Sequence, residues 1–257
     1  MRESYWSRET EPSEHEIFSQ LQVPPEAPFF VRLDGRRFQT ISEMVGAEKP
    51  FDEGFARCLV ASARAIFQGN LNPALVYVAS DEINVLFVYT APFRRRVEKI
   101  DSILAGIASS TFSLSILKLF KKPITSAFDS RIILSSPERI VEYLTWRQRD
   151  AWRNHNNAYA YWHLRKMGSK PLEAAKMLRG LKTKDLHEML FRHGVNLAQT
   201  PAWQRRGILI YREPYQKKVK NHVVTRWRIG EEWNLPTFSS TEGQALIQRV
   251  LDWAKPI

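Results

Sequence analysis

Asp34 follows a short apolar run and precedes Gly35, and Asp81 stands between Ser80 and Glu82 where two runs rich in Val, Leu, Tyr and Phe meet. Two carboxylates held close together repel one another unless a cation lies between them, and hard oxygen ligands suit Mg2+. Arg32, Arg36, Arg37 and Lys49 surround the first acid in sequence, and Gly35 lets a ligand approach the backbone closely. Carboxylates, a divalent ion and clustered cations describe a site for a nucleoside triphosphate. The chemistry expected there is in-line nucleotidyl transfer, with two Mg2+ ions stabilising the attacking and leaving oxygens. Each acid also has a plainer reading, since Asp-Gly after a strand and Ser-Asp-Glu at a bend both suit ordinary turns. The fold decides between these readings by bringing the acids together or keeping them apart.

The elements that must position them are legible in outline. Residues 28–33 read as a buried strand ending in a turn at Asp34-Gly35, and 51–67 place Phe55, Leu59, Ala63 and Ile66 at helical spacing. Residues 74–79 and 83–89 read as a hairpin with its acids at the bend. Pro92 opens a helical segment to about residue 120, with Val97, Ile100, Leu104, Ile107 and Phe112 recurring, and 126–134 supply a fourth strand. The succession β-α-β-β-α-β is the split βαβ, ferredoxin-like pattern of an α+β protein. In that pattern the first and third strands are antiparallel neighbours, which puts Asp34 beside Asp81. The second half reads as mainly helical over 137–192, then as a long hairpin of 203–211 and 222–229, then as a closing helix over 242–253.

At 257 residues, 44% hydrophobic and 25% charged, the composition excludes disorder, collagen and coiled coil. Thirty-eight Lys and Arg against 27 Asp and Glu give a formal charge of +11, which favours a polyanionic partner. That partner is nucleic acid or an anionic membrane, although excess charge also serves solubility. No run approaches the ~20 apolar residues of a spanning helix, and residues 1–20 have no apolar signal core. A cytoplasmic protein facing nucleic acid, without a membrane partner, is therefore expected. The one cysteine, Cys58, lies on the apolar face of the first long helix and reads as a small core residue. The six histidines lack metal-ligand spacing, and no Gly-Lys-Ser phosphate loop occurs, so triphosphate binding needs another scaffold.

Further cations cluster in three places. Arg94, Arg95, Arg96 and Lys99 open the helix after the hairpin, against the preference of the helix macrodipole, and suggest a second phosphate-binding patch with Arg95 and Lys99 as nucleotide contacts. A solvated helix start is the alternative. Between Trp146 and Trp162, aromatic residues alternate with Arg147, Arg149, Arg153 and His155, which suits stacking on bases and neutralising phosphates. Trp146, Tyr159 and Trp162 equally fit the buried stripe of a helix. The third cluster, at 216–220, forms a basic hairpin tip that suits phosphate contact or a solvated turn guarding an edge strand. Arg131, Arg147, Arg153, Asn157, Lys217 and Lys218 are the RNA-contact candidates.

The chain resembles the histidine-tRNA guanylyltransferases and most of all the guanylyltransferase-like proteins, which polymerise in the 3′-5′ direction. The resemblance rests on Val31-Arg32-Leu33-Asp34-Gly35-Arg36-Arg37-Phe38, Lys49-Pro50, Ser80-Asp81-Glu82 and Phe128-Asp129-Ser130-Arg131. It continues through Tyr143-Leu144-Thr145-Trp146-Arg147-Gln148-Arg149-Asp150, Tyr161-Trp162 and Arg205-Arg206-Gly207. It implies a polymerase-palm-like catalytic domain over 1–135, with an N-terminal extension, and a helical and β-hairpin tRNA-binding region over 136–257. Two Mg2+ ions would be held by Asp34, the carbonyl of Gly35, and Asp81, with Glu82 as a further catalytic participant. Gly35, Arg36, Arg37, Phe38, Gln39, Ser80 and Lys49 would contact nucleotide together with the two aspartates. The implied reaction activates the 5′-phosphate end of a tRNA with ATP or GTP, after which the 3′-hydroxyl of an incoming nucleoside triphosphate attacks it. A homo-oligomer, dimer or tetramer, is also implied.

One block departs from the family pattern. The histidine-specific enzymes carry His-Ile-Asn-Asn-Leu-Tyr-Asn after the Trp-Arg-Gln segment, whereas this chain has Trp152, Arg153, Asn154, His155, Asn156, Asn157 and Ala158. That block is associated in the family with reading the histidine anticodon, so template-dependent repair of 5′-truncated tRNAs becomes the expectation. From the residues alone, a conventional palm nucleotidyltransferase or cyclase, and a non-catalytic RNA-binding protein, remain open.

Overall fold

Six strands form one sheet in the computed structural model, which describes residues 16–219 and 222–256. The first strand, β1 (Phe29–Gly35), is apolar along most of its length because both of its faces are covered. Phe29, Val31 and Leu33 enter one core, and Phe30 enters a second core on the opposite face. After α1 (Phe38–Met44) and α2 (Glu53–Gln68) come β2 (Leu75–Ala79), β3 (Glu82–Phe87), α3 (Val97–Phe120) and β4 (Phe128–Leu134). These strands lie in the order β4-β1-β3-β2, every neighbour antiparallel, as the expected succession requires.

The two helices on the first face show why the sequence folds locally as it does. Asp52 accepts from the Phe55 N–H and caps α2, whose Leu59, Ala63 and Ile66 turn inward. Helix α3 has 24 residues and is long and apolar enough by composition to cross a membrane. Its Ile100, Leu104, Ala108, Phe112 and Ile116 recur every fourth residue and bury against the sheet, as in a core helix. Ser102, Gly106, Ser109 and Ser110 interrupt the apolar run, so counting uninterrupted apolar residues passes over this helix.

The second face is covered by α4 (Ile140–Lys166) and the closing helix. Helices α5 (Pro171–Leu178) and α6 (Thr183–Arg192) follow, with Leu186 and Leu190 of α6 packing on Ala160 of α4. The chain ends with α7 (Ala202–Arg206), β5 (Ile208–Val219), β6 (His222–Glu232) and α8 (Thr241–Trp253). β5 pairs with β2 from Ile208 to Tyr211 and then continues as a long arm with β6, so the sheet runs on past residue 136.

Two expectations are corrected here. Residues 202–206 are helical rather than the start of a strand: Pro201 leads in, none of Ala-Trp-Gln-Arg-Arg is β-branched, and Gly207 ends the turn at φ 78. A Cβ at Gly207 would lie 2.5 Å from the Val78 carbonyl oxygen, so both the backbone angle and the space demand glycine. Lys217 and Lys218 are not in a turn but within β5, opposite Val224 and Val223. Lys220 and residues 1–15 lie outside the described residues.

Candidate functional site

Register across the centre of the sheet sets up the site. Asp34 lies opposite Glu82 on one side and Asp129 on the other, and directly opposed residues share a face, so three carboxylates line up across three strands. Asp81 sits one residue before β3, and its carbonyl accepts from the Gly35 N–H at 3.0 Å, which ties the two acidic turns together. The sequence expectation that Asp34 and Asp81 meet therefore holds in the backbone. Gly35 is buried against the Phe38 ring, and an added Cβ would lie 2.5 Å from it.

The acids differ in what neutralises them. Glu82 receives Arg147 in a bidentate pair, Nη2 to Oε1 at 2.6 Å and Nε to Oε2 at 3.0 Å, and the same guanidinium reaches Asp150 at 2.9 Å. Asp129 is paired with Arg131. Among the described residues neither Asp34 nor Asp81 forms a salt bridge. Burial pushes the Asp81 carboxyl above the usual carboxylate range, and the neighbouring charges of Asp34 and Glu82 push it the same way. A half-buried carboxylate pair with a neighbouring backbone carbonyl and no salt bridge among the described residues has the donor chemistry of a Mg2+ site, which takes one or two protein carboxylates and completes its shell from phosphate and water. Among the described residues no group of three or more His, Cys, Asp and Glu is arranged to hold a metal ion. The fit therefore rests on two acids and a carbonyl.

Beside the Ser80-Asp81 turn a cavity of about 440 Å3 opens between α1, α2, α4 and α7. Lys49 stands in its wall, donating to the Ser42 hydroxyl and lying 5.5 Å from the centre of the Trp162 ring. Burial lowers the Lys49 pKa, and Glu43 and Asp52 oppose that shift. Phe51, Tyr161, Trp162 and Trp203 supply aromatic walls, while Ser80 and Asp81 form the edge nearest the sheet. The volume and the mix of flat apolar walls with a few polar groups suit a nucleotide-sized ligand.

The other expected residues divide. Gln39 lines the cavity, Arg36 and Arg37 are exposed beside it in sequence, and Asn157 is an exposed member of its wall. Phe38 reaches the same cavity, yet it is buried and packs on Phe55, Phe112 and Phe128, so its main role is core. Arg95 is turned away: it donates to the carbonyls of Pro24 and Ala27 and lies over the Phe29 ring, at the far end of β1. Five residue steps of extended strand lead from Phe29 to Asp34, roughly 17 Å. Lys99, exposed in the first turn of α3, is not among the residues lining the cavity. Arg131 and Arg153 are exposed, each with a carboxylate partner, and Lys217 and Lys218 are exposed on the arm.

Helix α4 reverses one expectation. Arg147, a candidate for RNA contact, is only 6% exposed, whereas Trp146, a candidate for the buried stripe, is 52% exposed. The inward face of α4 runs Ile140, Leu144, Arg147, Ala151, His155, Ala160 and Leu164, so helical spacing is kept while polar residues occupy its middle. Each has partners: Gln148 bonds the carbonyls of Arg206 and Pro236 and accepts from the Phe238 N–H, and His155 contacts Thr200 and Asn156. Phe51, Trp203 and Gln204 went unread as cavity residues. Their one sequence signal was proximity to the Lys49-Pro50 and Arg205-Arg206-Gly207 blocks. Cys58 is buried with its thiol pushed up to about 12 by burial, a core residue as expected.

An acid pair and a cation-bearing cavity at one end of an antiparallel sheet belong to a nucleotidyltransferase, and comparison with known proteins gives the same class. The family model for tRNAHis guanylyltransferase matches residues 11–136 and the Thg1 C terminal domain matches residues 138–245. The chain belongs to the tRNA(His) guanylyltransferase family. A probable tRNA(His) guanylyltransferase of Drosophila melanogaster is 32% identical over 197 residues, covering 74% of this chain and 69% of that protein. The structure of a bacterial tRNA(HIS) guanylyltransferase (Thg1)-like protein in complex with ATP is similar at 25% identity and TM-score 0.74, covering 93% of this chain and 96% of that one. Its complex with GTP gives 26% identity and a TM-score of 0.73 at the same coverage.

Proposed function

We propose that this protein adds nucleotides to the 5′ end of tRNA in the 3′-5′ direction, as a template-dependent repair activity that extends to guanylylation of tRNA(His). The observation that carries this reading is the pair Asp34 and Asp81, tied through the Gly35 N–H and without a salt bridge among the described residues, with Asp81 bordering a cavity of nucleotide size. The fold is read as a polymerase palm, with residues 1–135 catalytic and 136–257 gripping tRNA. Bound at Asp34, the Gly35 carbonyl and Asp81, two Mg2+ ions would supply charge neutralisation for the attacking and leaving oxygens.

The protein's own groups do the rest. Lys49 and the exposed Arg36 and Arg37 offset phosphate charge, and the aromatic walls hold a base flat beside the acids. Glu82 acts indirectly, holding Arg147 and so the position of α4 against the sheet. ATP or GTP activates the tRNA 5′-phosphate as a nucleotidyl adduct with release of pyrophosphate. The 3′-hydroxyl of the incoming triphosphate then attacks the activated tRNA phosphorus, forming the new phosphodiester as the nucleoside monophosphate leaves and the hydroxyl proton is lost. We read the protein as cytoplasmic and as a dimer or tetramer.

The test is incorporation of labelled GTP into a tRNA transcript by the native protein, Asp34→Ala and Asp81→Ala. Each variant should lose about two to three orders of magnitude of rate, the scale of removing a charge-stabilising group, with an unchanged circular dichroism spectrum. Retention of activity in both variants sinks the assignment.

A further inference from the structure

A second cavity, of about 310 Å3, lies on the other side of α7 from the first. Trp203, Gln204 and Gly207 line the nucleotide cavity, while their neighbours Arg205 and Arg206 turn into the second one. There they meet Arg149 from α4 and the side chains of Thr145, Thr237 and Ser239, with Trp152 as the aromatic wall. No carboxylate lines this cavity, and among the described residues Arg149, Arg205 and Arg206 form no salt bridge. The contrast with Arg147 is direct, since that guanidinium has two carboxylates within 3 Å.

Arg205 and Arg206 are held rather than free to swing away. Arg205 donates through Nε to the Thr200 carbonyl at 2.9 Å, and Arg206 donates through Nη1 to the Leu235 carbonyl at 2.8 Å. The Arg206 carbonyl in turn accepts from the Tyr77 hydroxyl at 2.8 Å and from Gln148 at 3.3 Å, fixing α7 against the sheet and α4. Each guanidinium keeps further N–H donors beyond those bonds. Burial and the neighbouring Arg206 charge lower the Arg205 pKa, as expected where like charges converge without an anion.

We propose that this second cavity binds a phosphate ester of a nucleotide. Arginine is suited to phosphate through its planar fork of donors, and hydroxyls and an indole edge complete a site for phosphate, sugar and base. Two sources share this chemistry: a phosphodiester of the RNA strand, and a free nucleotide. Because α7 borders both cavities, an occupant here lies directly behind the wall of the nucleotide cavity. The inference concerns binding and does not depend on the direction or product of the reaction.

The test uses the full chain, native and R149Q/R205Q, in EDTA so that no transfer occurs. Binding of a fluorescent tRNA transcript is followed by anisotropy from roughly 50 to 200 mM salt, where phosphate contacts register in the slope. Binding of guanosine monophosphate is followed by calorimetry. For RNA occupancy, the double variant should bind tRNA about tenfold more weakly, with a salt slope lower by about 2, one per lost contact. For free-nucleotide occupancy, the loss appears with guanosine monophosphate and the tRNA slope stays. Either result supports the site, and unchanged affinity and slope in both arms overturn it. R149Q alone alters an exposed side chain, so it decides the matter if the double variant misfolds. Its RNA slope should fall by about 1, or its affinity for guanosine monophosphate should drop several-fold; neither change overturns the proposal.

Discussion

Arg147 and Arg149 stand two residues apart on α4 and meet opposite environments. Arg147 points to the sheet and is closed in by Glu82 and Asp150, whereas Arg149 borders a cavity with Arg205 and Arg206 and no carboxylate. The acidic end of the sheet shows the mirror image. There Glu82 has its arginine, while Asp34 and Asp81 have none among the described residues. Charges that hold the fold together come in closed pairs; charges left open collect where a ligand of opposite sign can enter. Composition reports only the sum of both kinds.

Breaking a closed pair should have the largest effect on stability. Arg147→Met leaves Glu82 and Asp150 without their shared partner, which should cost about 3–5 kcal/mol in denaturant unfolding. Adding Glu82→Leu should recover part of that loss, because the stranded charge is removed with its partner. Next comes His155, fully buried, whose pKa is pushed down to about 4 chiefly by burial. The unfolded chain takes up this proton first, near pH 6.5, so stability should decline as pH falls from about 6.5 to 4, by at most roughly 3 kcal/mol. His155→Gln should flatten that part of the pH profile in thermal melts.

The smallest effect is expected at Asp81. The Asp81 carboxyl is raised above its ordinary value by burial and by Asp34 and Glu82, so its contribution to stability is present below the unfolded pKa and is lost as pH rises through the folded value. Asp81→Asn should therefore raise the melting temperature by a few degrees at neutral pH, and the gain should vanish near pH 3. A residue that stabilises the protein when its charge is removed, yet is required for activity, is in place for its ligand rather than for the fold.

The sequence was informative where spacing and chemistry agreed. The strands through β4, with α2 and α3, follow from apolar periodicity and turn residues, while the short α1 went unread; the meeting of Asp34 with Asp81 follows from the strand order alone. Side-chain direction on α4 was harder to read. Its inward stripe contains Arg147, Gln148 and His155, and nothing local distinguishes an arginine that will find two carboxylates from one that will face solvent. Arg95 was misplaced for a similar reason: adjacency to a basic run says nothing about which end of a strand it reaches. The two cavities were illegible because each draws on segments more than fifty residues apart, joined through α7, whose helical turn reads as a strand until the demands on Gly207 are known.

The open acid pair is proposed to serve nucleotide addition at a tRNA 5′ end. The most direct measurement is end-mapping of products after the purified protein is incubated with a tRNA transcript lacking its first nucleotide, Mg2+ and each triphosphate. Extension at the 5′ end by the nucleotide complementary to the opposite strand is expected, and none with Asp81→Asn. Growth at the 3′ end, a cyclic nucleotide, or tRNA bound but unaltered would contradict it.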